Sequence, residues 1–179
     1  MTVIAAYNDG ERIWIGSDSA GTADELQADT GSKLIQKFRY VIGHAISYRV
    51  ADIIRESKNF PKNINNLKDL ATFRNILKEE LAKDLADGLI TQEDLLSELL
   101  IISPYGIFVI EDGFQIHKIF LGYYAIGGGA ELAFGALSLA NQLKLKNGKK
   151  VVTAVVAAAI KHCTSCGGKC YVRSMIFLG

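Results

Sequence analysis

Thr2 and Asp18 are residues whose types could share chemistry, a hydroxyl beside the chain terminus and a carboxylate sixteen positions on. The segment between them decides whether they meet. Thr2 to Tyr7 and Arg12 to Ser17 (RIWIGS) are β-rich runs, and Asn8-Asp9-Gly10 between them signals a hairpin, because glycine at positive φ suits the tight turns that match strand twist. With Asp9-Gly10 as the two-residue loop, Asn8 faces Glu11 and Thr2 stands opposite Ser17. Register alone then brings Thr2 and Asp18 to one end of the hairpin.

A second cluster lies far along the chain. His162, Cys163, Cys166 and Cys170 have the short spacing at which thiolate and imidazole ligands hold zinc or an iron-sulfur cluster. The same spacing suits a Cys163 to Cys166 disulfide, or simply small buried thiols, the ordinary use of free cysteine. The last reading leads, because there is one ligand cluster with an apolar strand behind it. Gly127-Gly128-Gly129 precedes a helix, whose N-terminus attracts anions, yet no GK[ST] or dinucleotide spacing accompanies it. His44 and His117 fall in strand-like segments without an identifiable partner.

The elements that must position these groups come in a definite order. After a polar stretch from Ser19 to Ser32, Lys33-Leu34-Ile35 and Tyr40-Val41-Ile42 read as strands and Arg49 to Lys58 as a helix. Leu67, Leu70, Leu77, Leu81 and Leu85 recur at helical spacing among charged residues, the mark of an amphipathic helix. Leu100-Ile102, Ile107-Ile110 and Phe114-Ile119 read as strands separated by turn chemistry. Ala130 to Lys146 and Val151 to His162 then read as helices parted by a stop at Asn147-Gly148, and Tyr171 to Leu178 as a closing strand. Helices arriving in pairs between antiparallel sheets predict an α+β protein, a four-layer αββα sandwich in place of a parallel doubly wound sheet.

Composition bounds the rest. A chain of 179 residues, 49% hydrophobic, suits one domain spanning 1–179. Its 20 basic and 19 acidic residues are interspersed, giving a net charge of +1 that points to neither nucleic acid nor an anionic membrane. No run approaches the ~18 apolar residues of a spanning helix, and no basic and apolar leader opens the chain. With all three cysteines confined between Cys163 and Cys170, a reducing cytoplasm is the expected location.

MTVIAAYNDGERIWIGSDSAGT followed by GSKLI resembles the start of proteasome β subunits and of the bacterial peptidase HslV, and YYAIGGGAELAFGAL and CTSCGG resemble the glycine turn and closing loop of that N-terminal-nucleophile (Ntn) hydrolase family. The similarity runs through nearly the whole chain in the right order. It implies that Thr2, exposed by removal of Met1, is the nucleophile of a threonine peptidase. A threonine hydroxyl attacks only when a base takes its proton, and its own α-amine, with a reference pKa of about 7.7–8.0, could serve. Lys33 matches the lysine whose charge favours the neutral amine, and Asp18 the acid that orients it. Thr22 matches a position that pairs with extended substrate through its main chain, and the backbone N–H near Ile46 and Ser47 falls where the oxyanion is held.

The supporting positions depart from the family. Gly128 stands where a serine is usual, and Cys163 and Cys166 replace an aspartate and a serine, so a hydrogen and two weakly hydrogen-bonding thiols replace two hydroxyls and a carboxylate. The resemblance therefore implies two alternatives: an active hydrolase, or a catalytically impaired subunit with an assembly or regulatory role. It implies peptide or unfolded protein as substrate, a homo-oligomeric ring, a possible ATP-dependent unfoldase as partner, and no cofactor.

Overall fold

The computed structural model describes residues 2–23, 26–45, 48–92 and 97–179, with backbone alone between 22 and 28. β1 (Ile4–Asn8) and β2 (Arg12–Ser17) form the first hairpin, followed by β3 (Ala20–Ala23), β4 (Leu26–Asp29), β5 (Leu34–Lys37) and β6 (Tyr40–Ala45). Then come α1 (Tyr48–Glu56), α2 (Leu67–Ala86), β7 (Glu98–Ser103), β8 (Gly106–Ile110), β9 (Ile116–Ile119) and β10 (Tyr123–Ile126). α3 (Ala130–Gln142), α4 (Gly148–His162) and β11 (Tyr171–Ile176) complete the chain.

One sheet has the order β10-β1-β2-β11 and a second the order β5-β6-β7-β8-β9, and every pairing is antiparallel. Alternation along each strand gives every sheet two apolar faces to cover. Ile4 and Ile15 of the first sheet pack with Val41, Leu100 and Val109 of the second between the sheets. On the outer face of the second sheet, Ile42 and Ile101 meet Val50, Ile54, Leu70 and Phe73 of α1 and α2. On the outer face of the first, Val3 and Ala5 meet Leu137 of α3 and Val152 and Val156 of α4. These three layers of contact make the αββα sandwich expected from the element order. Gly43 lets the sheets approach, since a Cβ there would overlap the Ile4 side chain.

Three local readings change. The first hairpin turns at Gly10-Glu11 instead of Asp9-Gly10: Asn8 pairs with Ile13 and Ile4 with Ser17. The cause is side-chain capping, because Asp9 Oδ1 accepts the N–H groups of Glu11 and Arg12 while its Oδ2 receives Trp14 Nε1. The shift moves partners by two positions, so every side chain keeps its face. The polar stretch after Asp18 contains the β3–β4 hairpin. Asn147 starts α4 instead of stopping α3, its side chain accepting the Lys150 N–H as an N-cap.

Candidate active site

The end of the first hairpin delivers a carboxylate into the interior. Asp18 directly follows β2, is fully buried, and spends both oxygens: Oδ1 accepts the Val3 N–H at 3.1 Å and Lys33 Nζ at 2.8 Å, and Oδ2 accepts the Gly167 N–H at 3.2 Å. A buried charge requires this degree of pairing. Lys33 precedes β5, which places its 3% exposed side chain across the gap from the other sheet. Its ammonium donates to Thr2 Oγ1 at 2.6 Å, a short charge-assisted contact.

Thr2 is held by its main chain as well. Its carbonyl accepts the Gly129 N–H at 3.1 Å. Gly127 has φ +85, and a Cβ there would overlap the Thr2 carbonyl oxygen, so this turn has to be glycine where it meets Thr2. Glu98, the first residue of β7, reaches the same turn, its Oε2 accepting the Gly127 N–H at 3.0 Å. The closing loop seals the other side: the Gly167 carbonyl accepts the Ser19 and Ala20 N–H groups, and Ser19 Oγ accepts the Lys169 N–H at 2.8 Å.

Thr2 and Lys33 open onto a cleft of about 360 Å³ whose walls include His44, Tyr48, Glu98 and Gly128. His44 is 3% exposed and its Nε2 has no partner among the described residues. Burial first, then the positive charges of Arg55 and Lys33, pull its pKa down to about 4, so the ring is neutral near pH 7.

The predicted residues are therefore distributed as follows. Thr2, Asp18 and Lys33 form one hydrogen-bonded chain. Gly128 lines the cleft, and its carbonyl lies 3.6 Å from the Cys163 thiol, which also contacts Ser165 Oγ at 2.9 Å. Hydrogen bonding from Ser165 lowers the Cys163 pKa, whereas burial pushes Cys166 up to about 12. Thr22 pairs with Gln27 across the β3–β4 hairpin, next to the cleft residue Gly21. Ile46 and Ser47 lie outside the described residues. Among the described residues, no three of His, Cys, Asp and Glu converge as a metal site. Likewise no described helix is long and apolar enough to cross a membrane.

Sequence reasoning passed over Glu98 and Tyr48 and assigned His44 no role. A charge opening the apolar run ELLIIS was the available signal for Glu98; nothing local marked Tyr48.

No protein-family model matches the sequence, and comparison with curated proteins gives no match. Solved structures do match. BPH of Thiobacillus denitrificans superposes with a TM-score of 0.81 at 20% identity, covering 99% of each chain. The same protein in complex with epoxomicin gives 0.82 at 19% identity over 100% of both chains. HslV from Trypanosoma brucei gives 0.69 at 19% identity, covering 97% of this chain and 99% of that one. The chain shares the fold of these proteins along its length.

Proposed function

We propose that this chain, built on the fold of HslV, is an N-terminal threonine peptidase in which Thr2 attacks once Met1 is removed. The observation that carries the reading is the 2.6 Å contact from Lys33 Nζ to Thr2 Oγ1, with Asp18 holding the same ammonium. A buried cation aimed at a hydroxyl stabilises negative charge developing on that oxygen. In the first half-reaction the Thr2 α-amine takes the hydroxyl proton while Oγ1 bonds to the substrate carbonyl carbon. The carbon-nitrogen bond then breaks, the leaving amine takes that proton, and an ester to Thr2 remains. Water, deprotonated by the same amine, adds to the ester carbon; the bond from that carbon to Oγ1 then breaks, the amine returns the proton to Oγ1, and the acid leaves. The oxyanion is assigned to a backbone N–H near Ile46 and Ser47, with Thr22 presenting main chain to extended substrate.

A 360 Å³ cleft admits a segment of extended chain and not a folded domain, which favours peptides or unfolded protein and gives an ATP-driven unfoldase a role as supplier. Leu132, Leu139 and Leu143 of α3 and the residue after it are 50%, 57% and 62% exposed along one helical face. That apolar face supports self-association, and we read the assembly as a closed homo-oligomeric ring of single-domain subunits in the cytoplasm.

The test joins intact-mass measurement to an epoxyketone probe, which needs the hydroxyl and free amine of one residue. The expected outcome is loss of Met1 and a single adduct that Thr2→Ala abolishes. A chain that begins at Thr2 yet forms no adduct and cleaves no peptide between about pH 6 and 9, where the amine titrates, would favour the second reading, an impaired subunit. The replacement of the supporting carboxylate and hydroxyls by Gly128, Cys163 and Cys166 motivates that alternative.

A further inference from the structure

The cleft beside Thr2 has an uneven distribution of charge. Lys33 and Asp18 neutralise each other at 2.8 Å. His44 stays neutral near pH 7 because its pKa falls to about 4. The Tyr48 hydroxyl lies 2.7 Å from Thr30 Oγ1, which pins a ring that is still 45% exposed. The remaining formal charge on the described walls is Glu98, whose Oε2 is anchored on Gly127, the glycine packed against Thr2.

Each alternative occupant meets a specific cost. An acidic side chain would face Glu98 with no other cation among the described walls to offset it, since Lys33 is committed to Asp18 and His44 carries no charge. An apolar side chain would strip water from the carboxylate and return nothing. A cation gains a charge-assisted hydrogen bond, and a guanidinium can also stack on the Tyr48 ring. Ala20, Gly21, Ala45 and Gly128 leave room for a long side chain.

Resting on the peptidase reading, we infer that the cleft selects a cationic side chain, arginine above all, on the residue whose carbonyl Thr2 attacks, with Glu98 as its counter-ion. The experiment exposes the chain, verified by mass to begin at Thr2, to an equimolar mixture of peptide epoxyketones that differ only in arginine, leucine or glutamate next to the warhead. Adducts are counted by mass. Arginine should label faster than leucine by on the order of tenfold, the size expected for one charged contact, and glutamate slowest. In Glu98→Gln, whose amide oxygen can still accept from Gly127, the arginine-to-leucine ratio should collapse towards one. That ratio is internal to one sample, so a partly unfolded variant does not distort it. Leucine or glutamate labelling fastest would overturn the inference and leave the peptidase reading standing. An arginine preference unchanged in Glu98→Gln would remove Glu98 from the assignment. No adduct with any probe would overturn the peptidase reading and the inference with it.

Discussion

Gly167 donates its N–H to Oδ2 of Asp18 at 3.2 Å although 149 positions separate the two residues. The loop that closes the chain therefore grips the carboxylate whose other oxygen holds Lys33 and the backbone of Val3. Segments from both ends of the sequence thus hold the carboxylate that aims the ammonium at Thr2.

Asp18→Asn should destabilise the protein severely. The substitution keeps the shape but leaves the 3% exposed Lys33 without its counter-charge, and it sets an amide NH₂ among groups that all donate. Breaking one side of a buried pair costs about 3–5 kcal/mol. Urea unfolding should show a midpoint displaced by that amount with little change in slope; a midpoint within error of wild type would mean that the pair contributes nothing.

Thr2→Ala should separate chemistry from folding. It removes one acceptor from Lys33, whose bond to Asp18 remains, and costs about 1 kcal/mol. Peptide turnover should vanish while circular dichroism and unfolding stay close to wild type. Turnover retained by this variant would move the nucleophile elsewhere.

The alternation of apolar runs carried the layer order, because strands and amphipathic helices bury one face each and the sequence records which. It carried less about register. Asp9 fixes the first turn through hydrogen bonds of its side chain, a contest between neighbouring turn residues that hydrophobic pattern does not decide. The β3–β4 hairpin was hidden in a polar stretch where alternation is weak. The hairpin count did bring Thr2 near Asp18, since a two-position slip preserves the face. Lys33 was legible only through resemblance, and Glu98 and Tyr48 reach the cleft through packing of distant elements, which no local spacing encodes.

Stability should fall with acid in a window set by His44. The ring's pKa is about 4 in the fold against 6.5 for the free side chain, so below pH 6.5 the unfolded chain binds a proton that the folded one refuses. The contribution is complete above pH 6.5 and is lost as pH falls towards 4, by about 3 kcal/mol over the window. Asp52, which opposes the shift through its charge, moderates it. His44→Leu should flatten the slope of unfolding free energy between pH 6.5 and 4; an unchanged slope would assign acid sensitivity to other groups.

Alkylation should discriminate among the cysteines. Cys163 is partly exposed with a lowered pKa, whereas Cys166 is buried and pushed up to about 12, so iodoacetamide should modify Cys163 first. The adduct sits beside Gly128 on the cleft wall and should reduce hydrolysis partially by crowding. Cys163→Ser should remain active and resist this inhibition. Loss of all activity in that serine variant would transfer the chemistry to sulfur and remove it from Thr2.

Two glycine-to-alanine variants should tell backbone strain from misplacement of the nucleophile. Gly127 and Gly88 both adopt left-handed conformations, at φ +85 and +70, yet a Cβ at Gly88 meets nothing within 4 Å while one at Gly127 overlaps the Thr2 carbonyl. Gly88→Ala, just past α2, should therefore cost only the conformational strain, about 1–2 kcal/mol, with kcat/KM unchanged. Gly127→Ala should add to that strain a displacement of Thr2 from Lys33, where a shift of about 1 Å can reduce rate by on the order of a hundredfold. Parallel unfolding curves and peptide kinetics read both effects. Equal losses of stability with no difference in kcat/KM would mean that the glycine turn shapes the fold and does not position the nucleophile.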